Sequence, residues 1–241
     1  MKKHIPNLIT SLNLFCGCLA LVAVFHHRFD AVLTLLLTAG VLDFFDGFVA
    51  RKLKVDGALG KQLDSLADVV TFGVVPGFVL YQMIVYAIGQ KMINPEESPV
   101  WYLAYFAMII PMASAYRLAK FNLDTRQSNY FLGLPTPANG IFWAALPVAV
   151  KNSTQPMLLD WFGNPIFLIV LGFIAALAMV AEIPLISFKF KHYAWKGNES
   201  KYLLLILSAL LLGIFYLHAL PVIIVLYVLL SLLFKKQIVA Q

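Results

Sequence analysis

Apolar runs long enough to cross a lipid bilayer recur along the whole chain, and they restrict the fold more than any other feature. A membrane-spanning helix needs about 20 predominantly apolar residues. Hydrophobic residues make up 61% of the 241 residues and charged residues only 12%, whereas roughly a quarter of a soluble domain is charged. The sequence predicts an all-α, polytopic membrane helix bundle of about eight spans, near residues 6–26, 30–51, 61–89, 100–120, 136–151, 162–187, 201–218 and 220–235.

Lys and Arg residues are distributed unevenly across this arrangement. An even number of spans places both termini on one side of the membrane, together with the loops after predicted spans two, four and six. That side carries 15 of the 18 Lys and Arg residues, and the other carries Arg28, Lys91 and Lys151. Positive charge gathers in cytoplasmic loops, so we expect a multi-pass protein of the inner cell membrane with its basic face in the cytoplasm. Such a face attracts anionic lipids, and no nucleic-acid partner is expected.

Four aspartates interrupt predicted spans two and three. Asp43 and Asp46 are three residues apart, and Asp64 and Asp68 are four apart, so each pair shares a helix face. A basic hairpin, residues 51–61, joins the two helices. At a rise of about 1.5 Å per residue, Asp43 and Asp68 lie roughly 10 to 12 Å inward from that hairpin. If the helices pack antiparallel, these two deeper aspartates face each other and the two outer ones do the same. The four carboxylates then converge in a pocket open to the cytoplasm.

Four carboxylates at close range require compensation by protons or cations. Ligands that are all oxygen suit hard cations such as Mg²⁺, Mn²⁺ or Ca²⁺. Two divalent ions would balance four negative charges, and a two-metal site suits phosphoryl transfer. Gly47, Ala50 and Gly60 lie on the same stripes as the aspartates and would let a large ligand approach. For any one of them, helix packing alone is an alternative reason for a small residue.

The spacing of these residues resembles the signature of the CDP-alcohol phosphotransferases. The matching pattern is Asp43-x-x-Asp46-Gly47-x-x-Ala50-Arg51, eight residues, then Gly60-x-x-x-Asp64-x-x-x-Asp68. Members of this family transfer the phosphoryl-alcohol part of a CDP-linked alcohol to a second alcohol and release CMP. The resemblance covers predicted spans one to six. It implies a six-helix catalytic core at residues 1–190, followed by a C-terminal helix pair at residues 191–241, and it implies a homodimer.

The resemblance also implies roles for individual residues. Two divalent cations, Mg²⁺ or Mn²⁺, would be held by Asp43, Asp46, Asp64 and Asp68. Asp68 would also be the general base that deprotonates the attacking hydroxyl. The CDP-lipid would bind near residues matching the signature and near polar residues of the first helix: Gly47, Ala50, Arg51, Gly60, Asn7, Thr10 and Asn13.

A second pair of segments indicates the acceptor alcohol. Residues 116–122, YRLAKFN, and 131–139, FLGLPTPAN, resemble the phosphatidylserine synthase branch of the family. This implies that CDP-diacylglycerol and L-serine are the substrates. Serine carries a carboxylate that needs a cation or a helix N-terminus nearby. We assign that role to Arg117, with Asn122 as a hydrogen-bonding partner; the alternative is that Arg117 only marks the membrane interface. Lys120 stands where the branch often has Arg, which keeps the charge but loses the planar fork. For Glu182 we favour pairing with a loop lysine over acceptor binding.

Two alternatives remain open from the sequence. The same reaction could use glycerol 3-phosphate or an inositol phosphate as the acceptor, because Arg117, Lys120 and Arg126 supply basic charge. A cation-coupled transporter would also place carboxylates in the membrane. Transporters tend to have internal repeats and midplane sites, whereas these aspartates cluster at one end of one hairpin. The cytoplasmic enzyme pocket is therefore favoured.

Overall fold

The computed structural model describes residues 4–55, 57–89, 99–124, 130–188 and 194–239, and these residues are almost entirely helical. The α-helices are α1 His4–Phe25, α2 Phe29–Leu53, α3 Ala58–Val69, α4 Val75–Gly89, α5 Ile109–Leu123, α6 Thr136–Lys151, α7 Pro156–Phe162, α8 Pro165–Val180, α9 Glu199–Phe215, α10 Leu220–Leu233 and α11 Lys235–Val239. A π-helical turn, Val70–Val74, joins α3 to α4, and 3₁₀ segments, Pro99–Met108 and Tyr216–Ala219, precede α5 and α10. The predicted all-α bundle is confirmed.

Two very short strands are the exception to this helical architecture. β1 (Phe131–Leu132) and β2 (Pro184–Leu185) pair antiparallel. They tie the segment before α6 to the segment after α8. Pro184 explains why predicted span six, which was expected to reach residue 187, ends at Val180, since proline cannot continue a helix.

By length and composition, fewer than eight described helices could cross a membrane. Four qualify: His4–Phe25, Phe29–Leu53, Ala58–Gly89 and Glu199–Leu233. A fifth is possible if α7 and α8, which are bent by 76° relative to each other, form one span. The difference from the sequence-based number has two reasons. α5 and α6 have only 15 and 16 residues, fewer than the roughly 20 of a typical crossing, and predicted spans seven and eight both fall within the single stretch Glu199–Leu233.

The stretch Glu199–Leu233 is a hairpin rather than one straight helix. Gln237, just after α10, donates a hydrogen bond to the Glu199 carboxylate at the start of α9. The chain reverses in the 3₁₀ segment, where Tyr216 has a φ of 52°. The sharp turn predicted near residues 218–221 is therefore present. The division of the chain at residue 190 remains a prediction, and α10 reaches across it, since the Tyr227 hydroxyl donates to the Ile186 carbonyl at 3.0 Å.

Close helix packing around the π-helical turn holds the bundle together. Phe72 in this turn is fully buried and lies against Gly140 of α6, where an added Cβ would be 3.0 Å from the ring. A Cβ at Gly17 of α1 would collide with Thr71. The segment directly after Asp68 is thus fixed between α1 and α6.

One end of the bundle, called here the aspartate end, contains the α2–α3 turn, the end of α5 and the start of α6. Lys61 donates to the Asn122 carbonyl at 3.0 Å, and Arg117 donates to the Thr136 hydroxyl at 3.4 Å. Most of the described Lys and Arg residues lie at this end of the bundle, whereas Arg28 and Lys151 lie at the opposite end. Six of the residues used for the charge assignment lie outside the described residues: Lys2, Lys3, Lys91, Arg126, Lys189 and Lys191.

Candidate active site

Three of the four predicted aspartates meet between α2 and α3, which both pack on α1. Carboxylate oxygens of Asp43, Asp64 and Asp68 lie within 4.8 Å of one another. Asp46 interacts electrostatically with the other three, but it lies outside this close group. The deeper aspartates of the two helices therefore come together as predicted, but α2 and α3 make few direct contacts and are joined through α1. Asp46 forms the outer edge of the cluster.

Helix α1 supplies the hydrogen bonds that orient the cluster. The Thr10 hydroxyl donates to the Asp46 carboxylate at 2.5 Å, and the Asn13 amide donates to Asp68 Oδ1 at 3.2 Å. Thr10 and Asn13 are three residues apart and share one face of α1; both are buried. The Thr71 hydroxyl in turn donates to the backbone carbonyl of Asn13 at 3.3 Å. The first helix therefore holds an aspartate of α2 and an aspartate of α3 at once.

The chemistry of the cluster fits a hard divalent cation. Every candidate ligand is a carboxylate oxygen, the donor type that such cations prefer. Asp64 Oδ1 and Asn13 Oδ1 are buried without a hydrogen-bond partner among the described residues, and buried oxygens are normally paired. Within the described part of the chain, Arg51 interacts electrostatically with Asp46, and Arg117 interacts with Asp68, so two cations face four carboxylates. The like charges therefore call for compensation by a bound ion.

An open cavity of about 500 Å³ lies beside the cluster, between α1, α2 and α3. Six residues predicted to bind the CDP-lipid line it: Asn7, Thr10, Gly47, Ala50, Arg51 and Gly60. Asn13, the seventh, is not among the lining residues and contacts Asp68 instead. Asp46 and Asp64 form the inner wall. The cavity is large enough for a small-molecule head group.

Small residues in the cavity wall leave room for polar groups. An added Cβ at Gly47 would lie 3.2 Å from Arg51 Nη1, and one at Gly60 would lie 3.4 Å from Asn7 Oδ1. These glycines therefore let the guanidinium and the amide stand next to the backbone. Lys61 also lines the cavity. Lys61 was not predicted as a site residue, and the signal that could have identified it is its position directly after Gly60.

Arg117 lies on the other side of the cluster. Its side chain is 7% exposed, and it interacts electrostatically with Asp68. Nη1 donates to the Thr136 hydroxyl at 3.4 Å, and Nε has no hydrogen-bond partner in the described residues. The Phe121 ring centroid lies 5.9 Å from Cζ. The structure therefore brings the predicted acceptor-binding arginine close to the predicted general base.

Asn122, the other predicted acceptor residue, contacts α3. Its side-chain amide donates to the Ser65 hydroxyl at 2.7 Å, and its backbone carbonyl accepts from the Lys61 ammonium. Asn122 is five residues after Arg117, which on an α-helix corresponds to a rotation of roughly 140°. The two side chains therefore have different neighbours, and the structure does not bring them together around one ligand.

Glu182 forms an ion pair with Lys120, so the predicted pairing is present, but with a lysine of helix α5 rather than with a loop lysine. Nζ and Oε1 are 2.8 Å apart, and the side chains are 35% and 53% exposed. This contact links the end of α5 to the segment after α8. Glu182 thereby neutralises part of the Lys120 charge.

Comparisons with known proteins agree with this geometry. The sequence model of the CDP-alcohol phosphatidyltransferase family matches residues 3–230. The chain is 32% identical over 192 residues to the CDP-diacylglycerol–serine O-phosphatidyltransferase of Bacillus subtilis (strain 168), covering 80% of this chain and 94% of the relative. It is 30% identical over 224 residues to the enzyme of that name from Helicobacter pylori (strain J99), covering 92% and 86%. It is 32% identical over 139 residues to the archaetidylserine synthase of Methanothermobacter thermautotrophicus, covering 57% and 54%.

Proposed function

The chain belongs to the CDP-alcohol phosphatidyltransferase family, and on this basis we propose that it is an integral membrane CDP-diacylglycerol–serine O-phosphatidyltransferase. It transfers the phosphatidyl group of CDP-diacylglycerol to the hydroxyl of L-serine and releases CMP. The observation that carries this proposal is the aspartate cluster, with the cavity on one side and the buried guanidinium of Arg117 on the other. The names of the bacterial relatives support serine as the acceptor.

The proposed cofactors are two divalent cations, Mg²⁺ or Mn²⁺, held by Asp43, Asp46, Asp64 and Asp68. When bound, they polarise the donor pyrophosphate and neutralise charge on the attacking and leaving oxygens. Thr10 and Asn13 keep the ligand carboxylates in place through the bonds described above. Such support of the ligands is typical of metal sites.

The CDP group of the donor occupies the cavity between α1, α2 and α3. In this proposal the CDP group is surrounded by Asn7, Thr10 and the backbone at Gly47, Ala50 and Gly60. The Arg51 guanidinium, which lies beside Gly47, pairs with the phosphate that leaves with CMP, since guanidinium groups bind phosphates through two parallel hydrogen bonds.

Asp68 acts as the general base in the proposed reaction. It takes the proton of the serine hydroxyl, and the serine oxygen forms a bond to the phosphorus that carries diacylglycerol. The bond from that phosphorus to the CMP oxygen breaks, and CMP departs. The hydrogen bond from Asn13 to Asp68 Oδ1 orients this carboxylate. Arg117 binds the serine carboxylate, and Asn122 contributes by fixing the end of α5 to Ser65.

We place the aspartate end at the cytoplasmic face of the inner membrane, in a homodimer. Most described basic residues lie at that end, which agrees with the positive-inside rule. The donor's acyl chains stay in the surrounding lipid. Family membership removes the support for a cation-coupled transporter. The pairing of Lys120 with Glu182 also lowers the basic charge available for a phosphorylated acceptor.

The test is release of CMP from CDP-diacylglycerol by the purified protein. L-serine, glycerol 3-phosphate and an inositol phosphate are supplied separately, with and without EDTA, and the lipid product is identified by mass spectrometry. We expect metal-dependent CMP release with serine and formation of phosphatidylserine. CMP release with another acceptor and none with serine would refute the serine assignment while leaving the family membership intact.

A further inference from the structure

Asn139, near the start of α6, is a buried polar residue that the proposed mechanism has not used. Its side chain is fully buried, and neither its amide nitrogen nor its amide oxygen has a hydrogen-bond partner among the described residues. Buried side-chain polar atoms are nearly always paired. A carboxamide with both ends unpaired therefore points to a ligand that supplies an acceptor for its nitrogen and a donor for its oxygen.

The surroundings of Asn139 place it near the aspartate cluster. It lies one helical turn after Thr136, on the same side of α6, and the Thr136 hydroxyl accepts the hydrogen bond from Arg117. The next residue, Gly140, packs on Phe72, which follows Asp68 by four residues. The start of α6 is thus bounded by the buried arginine on one side and by the segment that carries the proposed base on the other.

The unpaired groups in this region complement an α-amino acid. Arg117 has an unpaired Nε, and a guanidinium presents donors in a geometry that suits a carboxylate. The carbonyl oxygen of Asn139 is an acceptor of the kind that an ammonium group requires. Together they would satisfy the two charged groups of a serine backbone. The serine hydroxyl would remain free to face Asp68, with which Arg117 already interacts electrostatically.

We propose that Asn139 recognises the ammonium group of the acceptor amino acid, and that Thr136 positions Arg117 for its carboxylate. This inference rests on the proposed function and adds the residues that select an amino acid as the acceptor. A sugar phosphate or glycerol 3-phosphate lacks the ammonium that Asn139 Oδ1 would accept from. Asn139 and Thr136 therefore contribute to acceptor specificity and take no part in donor binding.

The test is the substitution Asn139→Leu, which keeps the side-chain size and removes both polar ends. We expect the KM for serine to rise about tenfold or more, the effect of losing one hydrogen bond to a charged group. The KM for CDP-diacylglycerol stays the same. Preference for L-serine over 3-hydroxypropionate, which lacks the ammonium, falls by a similar factor. The melting temperature stays unchanged or increases, because no hydrogen bond within the described protein is lost.

Asn152→Leu is the matched control at the opposite end of α6. The Asn152 amide donates to the Val148 carbonyl at 2.8 Å, so its replacement removes a hydrogen bond far from the site. We expect a small decrease in melting temperature and an unchanged serine KM. Thr136→Val is the second test variant, and it should raise the serine KM without changing the donor KM.

The outcomes separate this inference from the proposed function. If the unsubstituted protein releases no CMP with serine, the proposed function fails. If it uses serine, and both Asn139→Leu and Thr136→Val keep the normal serine KM, only the present inference is overturned. A lower melting temperature in Asn139→Leu with equal changes in both KM values would show a structural role and would also overturn it.

Discussion

The hydrogen bond from Asn13 to Asp68 is a contact between α1 and the proposed base that one substitution can remove. The donor and acceptor are 3.2 Å apart, and both side chains are buried. The resemblance assigned Asn13 to CDP-lipid binding, yet the open cavity is lined by other residues. The structure therefore predicts that Asn13 acts mainly on Asp68, and that Asn13→Leu lowers kcat more than it raises the KM for the donor.

The size of this effect follows from the chemistry of the bond. A hydrogen bond to a charged group contributes about 1.5 to 3 kcal/mol. Since about 1.4 kcal/mol corresponds to a factor of ten, loss of the contact should lower kcat roughly 10- to 150-fold if it acts fully in the transition state. The Thr71 hydroxyl bonds to the backbone carbonyl of Asn13, so that contact survives the substitution and α1 keeps its place.

The assay is steady-state CMP release at varied CDP-diacylglycerol, with serine and divalent metal saturating. Ser11→Ala is the control on the same helix. The Ser11 hydroxyl is exposed and donates to the backbone carbonyl of Asn7 at 2.8 Å, so it has no contact with the aspartates among the described residues. We expect near-normal kinetics for that variant. A rise in the donor KM for Asn13→Leu with an unchanged kcat would refute the reasoning and return Asn13 to the donor site.

Three further predictions concern the metal, the base and the surface ion pair. Removal of divalent ions with EDTA should abolish CMP release, and addition of Mg²⁺ or Mn²⁺ should restore it. Turnover in metal-free buffer would contradict the assignment of the aspartate cluster as a metal site. Asp68→Asn should abolish turnover while binding of CDP-diacylglycerol remains measurable by calorimetry, and near-normal turnover would exclude Asp68 as the base. Lys120→Met should change the free energy of unfolding by less than about 1 kcal/mol, because exposed ion pairs contribute little. A large decrease in the melting temperature or a large increase in the serine KM would contradict this.

The aspartate cluster could be predicted from the sequence because it depends on local geometry. Spacings of three and four residues fix a shared helix face, and the short turn between α2 and α3 requires the helices to run antiparallel. These two facts are enough to predict that Asp43, Asp64 and Asp68 lie close together. The position of Asp46 depends on Thr10, which is 36 residues away in the chain, and no local pattern encodes such a contact.

The number and limits of the membrane spans were harder to predict, for a different reason. A hydropathy window reports that a segment is apolar but does not report where a helix bends or changes type. α7 and α8 are bent by 76° around Gly163, Asn164 and Pro165, and the segment before α5 is a 3₁₀ helix. Gly and Pro are the usual causes of such breaks, so their presence was a signal, but the angle depends on packing against neighbouring helices.

Helix α1 connects the two halves of the proposed reaction, although it carries none of the signature residues. Its face holds Asp46 through Thr10 at the donor cavity and holds Asp68 through Asn13 at the acceptor side. One turn beyond Asn13, the absence of a side chain at Gly17 allows Thr71 to approach, and Thr71 bonds the Asn13 carbonyl. A side chain at that glycine would push α1 away from α3, and both aspartates would lose their partners together. Donor binding and base orientation are therefore expected to fail jointly when α1 shifts, whereas changes at α6 should affect the acceptor alone.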